Sequence, residues 1–157
     1  MSLLRFLMML SLAIWLGGIM FFAFVLAPTV FSVLPTRNLA GMVVSRSLAR
    51  LHWIGLFSGI AYLIFSLVLS RLGGSFQPFA LRHLLVLLMI ALVLIAQFGI
   101  SGKMNRLRAD MGVIDSVAED DPRRVEFNRL HVWSTRAEGT ILILGLAVLF
   151  LTTRRLS

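Results

Sequence analysis

The chain has no cysteine, and it has no acidic residue at all before Asp110. Without cysteine there can be no disulfide, no thiolate metal site and no thiol nucleophile. Without a carboxylate in the first two thirds of the chain, paired-carboxylate chemistry is confined to the last third. Charge of either sign is scarce: 14% of the 157 residues are charged, where soluble domains carry about a quarter. What fills the space is apolar, with 59% hydrophobic residues and a mean hydropathy of +0.93. A soluble domain of this length would have too little polar surface to cover its core, so a bilayer is the better solvent. Phosphate loops, nucleophile elbows and zinc-protease motifs are also missing, so no catalytic residue is assigned.

The net charge of +8 does not point to nucleic acid. The basic residues stand at the ends of apolar runs, which suits lipid headgroups and membrane orientation. No charged side chain lies between Arg5 and Arg37, and Phe6 to Phe31 is almost wholly apolar. A crossing takes about 20 helical residues. The run is too long for a signal peptide and no small-x-small cleavage site closes it, so it reads as a retained helix. That helix should bend or end near Pro28 and stop at Pro35. A second span covers about 51–70, on a helix starting near Thr36, and a third covers about 83–101. Gly73-Gly74-Ser75 and Pro78 form a short turn between them.

The fourth span is short of apolar residues. Only Gly139 to Thr153 is free of charge, fifteen residues, or about 22 Å of helix. A full crossing must reach back to about Ser134, which brings Arg136 and Glu138 to the membrane boundary. Asp121-Pro122 reads as an N-cap followed by proline at the first helical position. Met104, Leu107, Met111 and Ile114 recur at helical spacing, which continues helix three along the surface. The expected fold is all-α: one domain over 1–157, an integral membrane four-helix bundle. Its helices cover about 3–33, 37–71, 81–108 and 122–154, with a polar, partly helical loop between the last two.

The loop side shared by the first and third connections holds ten basic residues: Arg37, Arg46, Arg50, Lys103, Arg106, Arg108, Arg123, Arg124, Arg129 and Arg136. The other side holds five: Arg5, Arg71, Arg82, Arg154 and Arg155. The positive-inside rule puts the two larger loops in the cytoplasm and both termini outside, with the cytoplasmic (plasma) membrane as the expected location.

Helix two carries His52, Gly55, Gly59, Tyr62 and Ser66 on one stripe. Its Gly55-x-x-x-Gly59 pair permits close helix approach. Helix four aligns Asn128, His131, Thr135 and Glu138, and Gln97 and Ser101 lie one turn apart on helix three. These faces should meet near the cytoplasmic mouth as a polar cluster of His52, Gln97, His131, Ser134 and Glu138, able to hold a ligand or a proton. Ionisable groups inside a span are costly and mark pathways or sites. As plain structure, the same groups would tie helices together, with Arg136 and Glu138 snorkelling to the interface. Glu138 needs a donor from another helix, Gln97 first and His52 second. His52, His131 and Glu138 are also the candidate metal ligands. His83 belongs to the opposite membrane face. Helix one packs through Trp15, Gly17, Gly18 and Pro28, and helix two through Gly55 and Gly59. No cofactor is expected. Haem b between His52 and His131 is the alternative, a use that four-helix bundles permit.

Residues 15 to 28 read Trp-x-Gly-Gly…Phe-Phe-x-Phe-Val-x-Ala-Pro. Leu34-Pro35, Ala40-Gly41-Met42-Val43-Val44, Phe127-Asn128-Arg129-Leu130-His131-Val132-Trp133-Ser134 and Leu142-Ile143-Leu144-Gly145-Leu146 follow. In these blocks the chain resembles the transmembrane protein 205-like family, also called domain of unknown function 4149. Residues 50 to 110 match it only as generic membrane helix. The Trp-x-Gly-Gly segment is more faintly similar to the copper-resistance CopD-like membrane domain. The resemblance implies a four-helix membrane protein without an assigned activity. A family site, if present, would fall on Trp15, Gly17, Gly18, Pro28, Gly41, His131 and Ser134.

Three functions are compatible with this reading. The first is a small non-enzymatic membrane protein, an accessory or self-associating subunit of a membrane complex. The second is a protein for transport of, or tolerance to, a metal ion or small solute. The third is a haem- or quinone-associated redox protein. The expected partners are the lipid bilayer and either other membrane subunits or the chain itself, with no nucleic acid.

Overall fold

The computed structural model describes residues 1–73 and 80–156. Among them, four helices are long and apolar enough to cross a membrane. They are α1 (Ser2–Val33), α2 (Arg37–Leu72), α3 (Leu81–Met111) and α4 (Pro122–Leu156). A single 3₁₀ turn, Ile114–Ser116, lies between α3 and α4. The expected turn over Gly74, Ser75 and Pro78 falls outside the described residues. α1 packs along α2 and α3 along α4, and contacts of α2 with α3 and of α1 with α4 close the bundle. Phe6, Phe24, Phe57, Leu87, Phe98 and Ile143 stand exposed around the outside. Such a shell would aggregate in water and is at home in lipid, so the chain is an integral membrane protein.

α1 neither ends nor breaks at Pro28. The backbone widens into a π-helical stretch at Phe22–Leu26, where the Ala27 N–H donates to the Phe22 carbonyl. Pro28 has no N–H and its ring crowds the preceding turn, and the wider turn absorbs both faults. The helix then runs to Val33, and Leu34 becomes extended (φ −79°, ψ 141°) ahead of Pro35, as the proline ring demands of its predecessor.

The glycine stripe of α2 receives a side chain. Trp15, 2% exposed, packs against both Gly55 and Gly59. A Cβ on Gly55 would run into the indole Nε1, and one on Gly59 would come within 2.6 Å of Cζ3. Gly18 makes similar room for Leu51, and Gly145 of α4 for Leu16 and Met89. Leu12, Tyr62, Val86, Val93, Ile141 and Val148 complete this core. Two expected packing residues of α1 do not pack: Gly17 and Pro28 are exposed, and nothing lies near a Cβ built on Gly17. The spacing of the buried positions explains this, because Leu12, Trp15, Leu16 and Ile19 already fill the inner stripe and put Gly17 on the lipid side.

Beyond the membrane-spanning core, α3 and the start of α4 form a second cluster of Met104, Met111 and Phe127 with Leu107 and Ile114 packed on it. Lys103 Nζ donates to Glu126 Oε1 at 2.6 Å across the two helices. Gly112, at φ 68°, takes the left-handed backbone that ends α3. Asp121 Oδ1 accepts from the Arg123 N–H at 2.8 Å, capping α4 at its opening proline.

Candidate functional site

A long helix that must cross the membrane has few places to hide polar side chains, and α2 puts them on its buried stripe. His52, Gly55, Gly59, Tyr62, Ser66 and Ser70 are all buried. The stripe does not converge on one mouth as its spacing alone implied. Over eighteen residues it spans about 27 Å, so its two halves serve opposite ends of the bundle and Trp15 lies between them.

At one end, His52 is 3% exposed and engaged on both sides. Its Nδ1 is 2.7 Å from Gln97 Oε1 and its Nε2 is 2.6 Å from Glu138 Oε1. The amide oxygen of Gln97 only accepts, so Nδ1 carries a hydrogen and donates to it. One further proton then sits between Nε2 and Glu138, and the pair is net neutral whichever partner holds it. The partner of Glu138 is therefore His52 rather than Gln97, the donor ranked first from sequence. Gln97 instead orients the imidazole from behind. It belongs to a π-helical stretch of α3, Ile95–Ser101, which inserts a wider turn where the side chain reaches inward.

His131 and Ser134 are not part of this hydrogen-bonded trio. His131 precedes Glu138 by seven residues, about 10 Å along the helix, and is exposed, while Ser134 is buried. Both line a cavity of about 550 Å³ whose wall also includes Glu138. Its volume lies within the usual range for small-molecule pockets, roughly 300–1,000 Å³. Ile19, Phe22, Leu48 and Leu142 line it together with Glu138, while Arg37, Asn38, Arg108 and Asp115 line it towards the α1–α2 and α3–α4 connections. His52 and Gln97 do not reach it, so Glu138 alone presents the trio to the cavity. Arg136 is exposed, does not line the cavity, and lies over the Trp133 ring, 5.6 Å from its centroid.

At the other end, the Tyr62 hydroxyl and Thr152 Oγ1 are 2.6 Å apart, and Thr152 in turn donates to the Val148 carbonyl. Ser66 Oγ is 2.8 Å from His83 Nε2, and Arg82 Nε donates to Ser66 at 3.3 Å. Arg82, expected among the loop charges, is 9% exposed and lies inside the bundle. Arg82 opens α3 next to an apolar run, and nothing in its spacing separates an inward arginine from a headgroup one.

Among the described residues no three His, Cys, Asp or Glu side chains converge on a point that would hold a metal ion. His52 and Glu138 meet, but His131 does not join them. Haem b between His52 and His131 would require His52 to give up one of its two hydrogen bonds. Both ring nitrogens of His52 are hydrogen-bonded, and an axial ligand needs one of those lone pairs free.

The fold and this site define a class: a four-helix integral membrane protein with a buried imidazole paired to a carboxylate beside a cavity between its helices. The chain belongs to the family described as domain of unknown function (DUF4149), whose model matches residues 10–112. The match covers α1 to α3 and includes the 50–110 stretch that looked generic. It stops short of the Phe127–Ser134 and Leu142–Leu146 blocks that contributed to the resemblance. It therefore includes His52 and Gln97 but not Glu138. No curated protein and no solved structure matches the chain.

Proposed function

We propose that the protein binds a small solute in its intramembrane cavity and moves it across, or keeps it out of, the membrane, with a proton exchanged at Glu138. The observation that carries this reading is the 2.6 Å His52–Glu138 contact, in which a carboxylate on the cavity wall shares one proton with a buried imidazole. A group so placed can take up or give away that proton as the charge in the cavity changes. The aromatic and aliphatic lining favours a solute with an apolar body over a bare metal ion, for which Glu138, His131 and Asp115 line the cavity without converging on a point. Transport or tolerance thus ranks above the accessory-subunit reading. That reading rests on the exposed Phe21, Phe24 and Phe31 of α1, a face that lipid covers as well as a protein partner does. We infer kinship with transmembrane protein 205-like proteins from the blocks at 15–28, 34–35, 40–44, 127–134 and 142–146, and a fainter one with CopD-like domains from the Trp15-x-Gly17-Gly18 segment alone.

Infrared difference spectra of the purified protein, with and without monovalent cations, divalent metal ions or long-chain carboxylates, test the reading. The expected result is a carboxyl C=O change, on adding at least one of these, that disappears in Glu138→Gln. Glu138→Gln keeps a donor for His52 Nε2 and should fold. Glu138→Leu strands that nitrogen and should cost about 1–3 kcal/mol of stability. A carboxyl region unmoved by every solute in the panel would leave the His52–Glu138 pair as a helix fastener and sink the proposal.

A further inference from the structure

Two polar groups in the cavity wall are buried and have no hydrogen-bond partner among the described residues: Arg108 Nε and Asn38 Oδ1. Arg108 crosses from α3 to α2, where its Nη2 would lie 3.2 Å from a Cβ on Gly41. Its guanidinium lies over the Phe127 ring, 5.4 Å from the centroid. None of the ion pairs among the described residues involves Arg108 or Arg37. Asp115 lines the same mouth without pairing with either. A half-buried guanidinium with no counter-ion is costly, and an oxyanion that meets it removes the cost. Deeper in, the wall changes character. Phe22, Ile19 and Leu142 are apolar, and Glu138 shares its proton with His52, so no net charge faces the occupant there. From Phe127 to Glu138 the cavity follows α4 for about 16 Å. It is cationic at the mouth, and below it Ile19, Phe22 and Leu142 form an apolar wall facing the uncharged polar groups of α4.

We propose that the occupant is a single-chain amphiphile with an anionic oxyacid head, the head held by Arg108 and Arg37 and the chain directed towards Phe22 and Leu142. The carboxylate of a fatty acid and the phosphate of a lysophospholipid share this chemistry. The inference names the solute class for the cavity reading above and rests on the cavity being a binding site, not on proton exchange at Glu138.

The test is photolabelling of the full chain in phosphatidylcholine nanodiscs, with palmitate carrying a diazirine on its chain and the matching neutral hexadecanol. The expected result is labelling by the acid of peptides containing Phe22, Met104 or Leu142, at least fivefold above the alcohol. Excess palmitate or lysophosphatidate should compete, the stronger of the two naming the head, and acetate or inorganic phosphate should not. Arg108→Gln should lower labelling at least fivefold. Gly139→Leu gives a second variant, because Gly139 lines the cavity and nothing lies within 4 Å of its added Cβ. It should fold and block the chain site. Equal labelling by acid and alcohol, with Gly139→Leu still blocking, overturns the anionic head and leaves the cavity standing. Labelling outside these peptides, or unchanged by Gly139→Leu, overturns both. Normal labelling of both the parent protein and Glu138→Gln, with no carboxyl signal in the parent, would instead remove only the proton step.

Discussion

Gly55→Ala sets two effects of similar size against each other, and the structure decides which wins. In an exposed helix interior, alanine in place of glycine is worth about 1 kcal/mol of helix propensity. Here the new Cβ would run into the Trp15 Nε1 and stand 2.9 Å from Cε2 and 3.0 Å from Cδ1. The indole is rigid and buried, and its far edge already occupies the space left by the missing Cβ of Gly59. Overpacking of this kind costs about 1–3 kcal/mol, so the net effect should be destabilisation of up to ~2 kcal/mol. Removing the indole should reverse the sign. With Trp15→Leu in place, Gly55→Ala has space and should stabilise by up to ~1 kcal/mol relative to Trp15→Leu alone. The two substitutions must then couple by about 1–3 kcal/mol, within the range for contacting residues. Reversible unfolding in mixed micelles of increasing sodium dodecyl sulfate content measures all four proteins. A Gly55→Ala protein as stable as the parent, or two substitutions that simply add, would refute the seating of Trp15 on the glycine stripe.

Asp121 offers a pH test outside the membrane. The Arg123 guanidinium bonded to its carboxylate, with the Arg123 N–H, holds its pKa at about 2 instead of 3.8. Because the folded value is depressed, its contribution to capping α4 is complete above pH 3.8 and fades as pH falls towards about 2. Amide exchange in the first turn of α4 should show this step, and Asp121→Ala should lack it. For topology, reporter fusions after Arg71 and after Asp115 should give opposite signals, the second one cytoplasmic, and the reverse pattern overturns the orientation. Protein purified from cells given a haem precursor should show no Soret band. A strong band lost in both His52→Ala and His131→Ala would mean that His52 leaves Gln97 and Glu138 to bind iron.

Much of the site was legible because helical periodicity is a local property. His52 heads the polar stripe of α2, and the fifteen-residue charge-free run of the fourth span draws Glu138 to the membrane boundary. Gln97 is polar in an otherwise apolar run. Three residues of the sequence cluster do meet. The identity of the donor to Glu138 was not legible, because it depends on how deep α2 sits against α4, which no single helix encodes. His131 lies on the same face of α4 as Glu138 and still stays out of the trio, since about 10 Å of rise separates them.

The sequence by itself determined the class of the molecule. Four apolar runs, basic residues at their ends and few acids leave a helical membrane bundle as the arrangement that satisfies both backbone and side chains in lipid. Tertiary structure decided everything that depends on depth and rotation between helices. It sent Arg82 into the bundle against Ser66, seated Trp15 on Gly55 and Gly59, and turned Gly17 outward to lipid. It also opened a cavity between Arg108 and Glu138, residues thirty positions apart on different helices. A helix's own period fixes which residues share a face. The partner that face meets is set only by the offset between neighbouring helices, and packing chooses that offset.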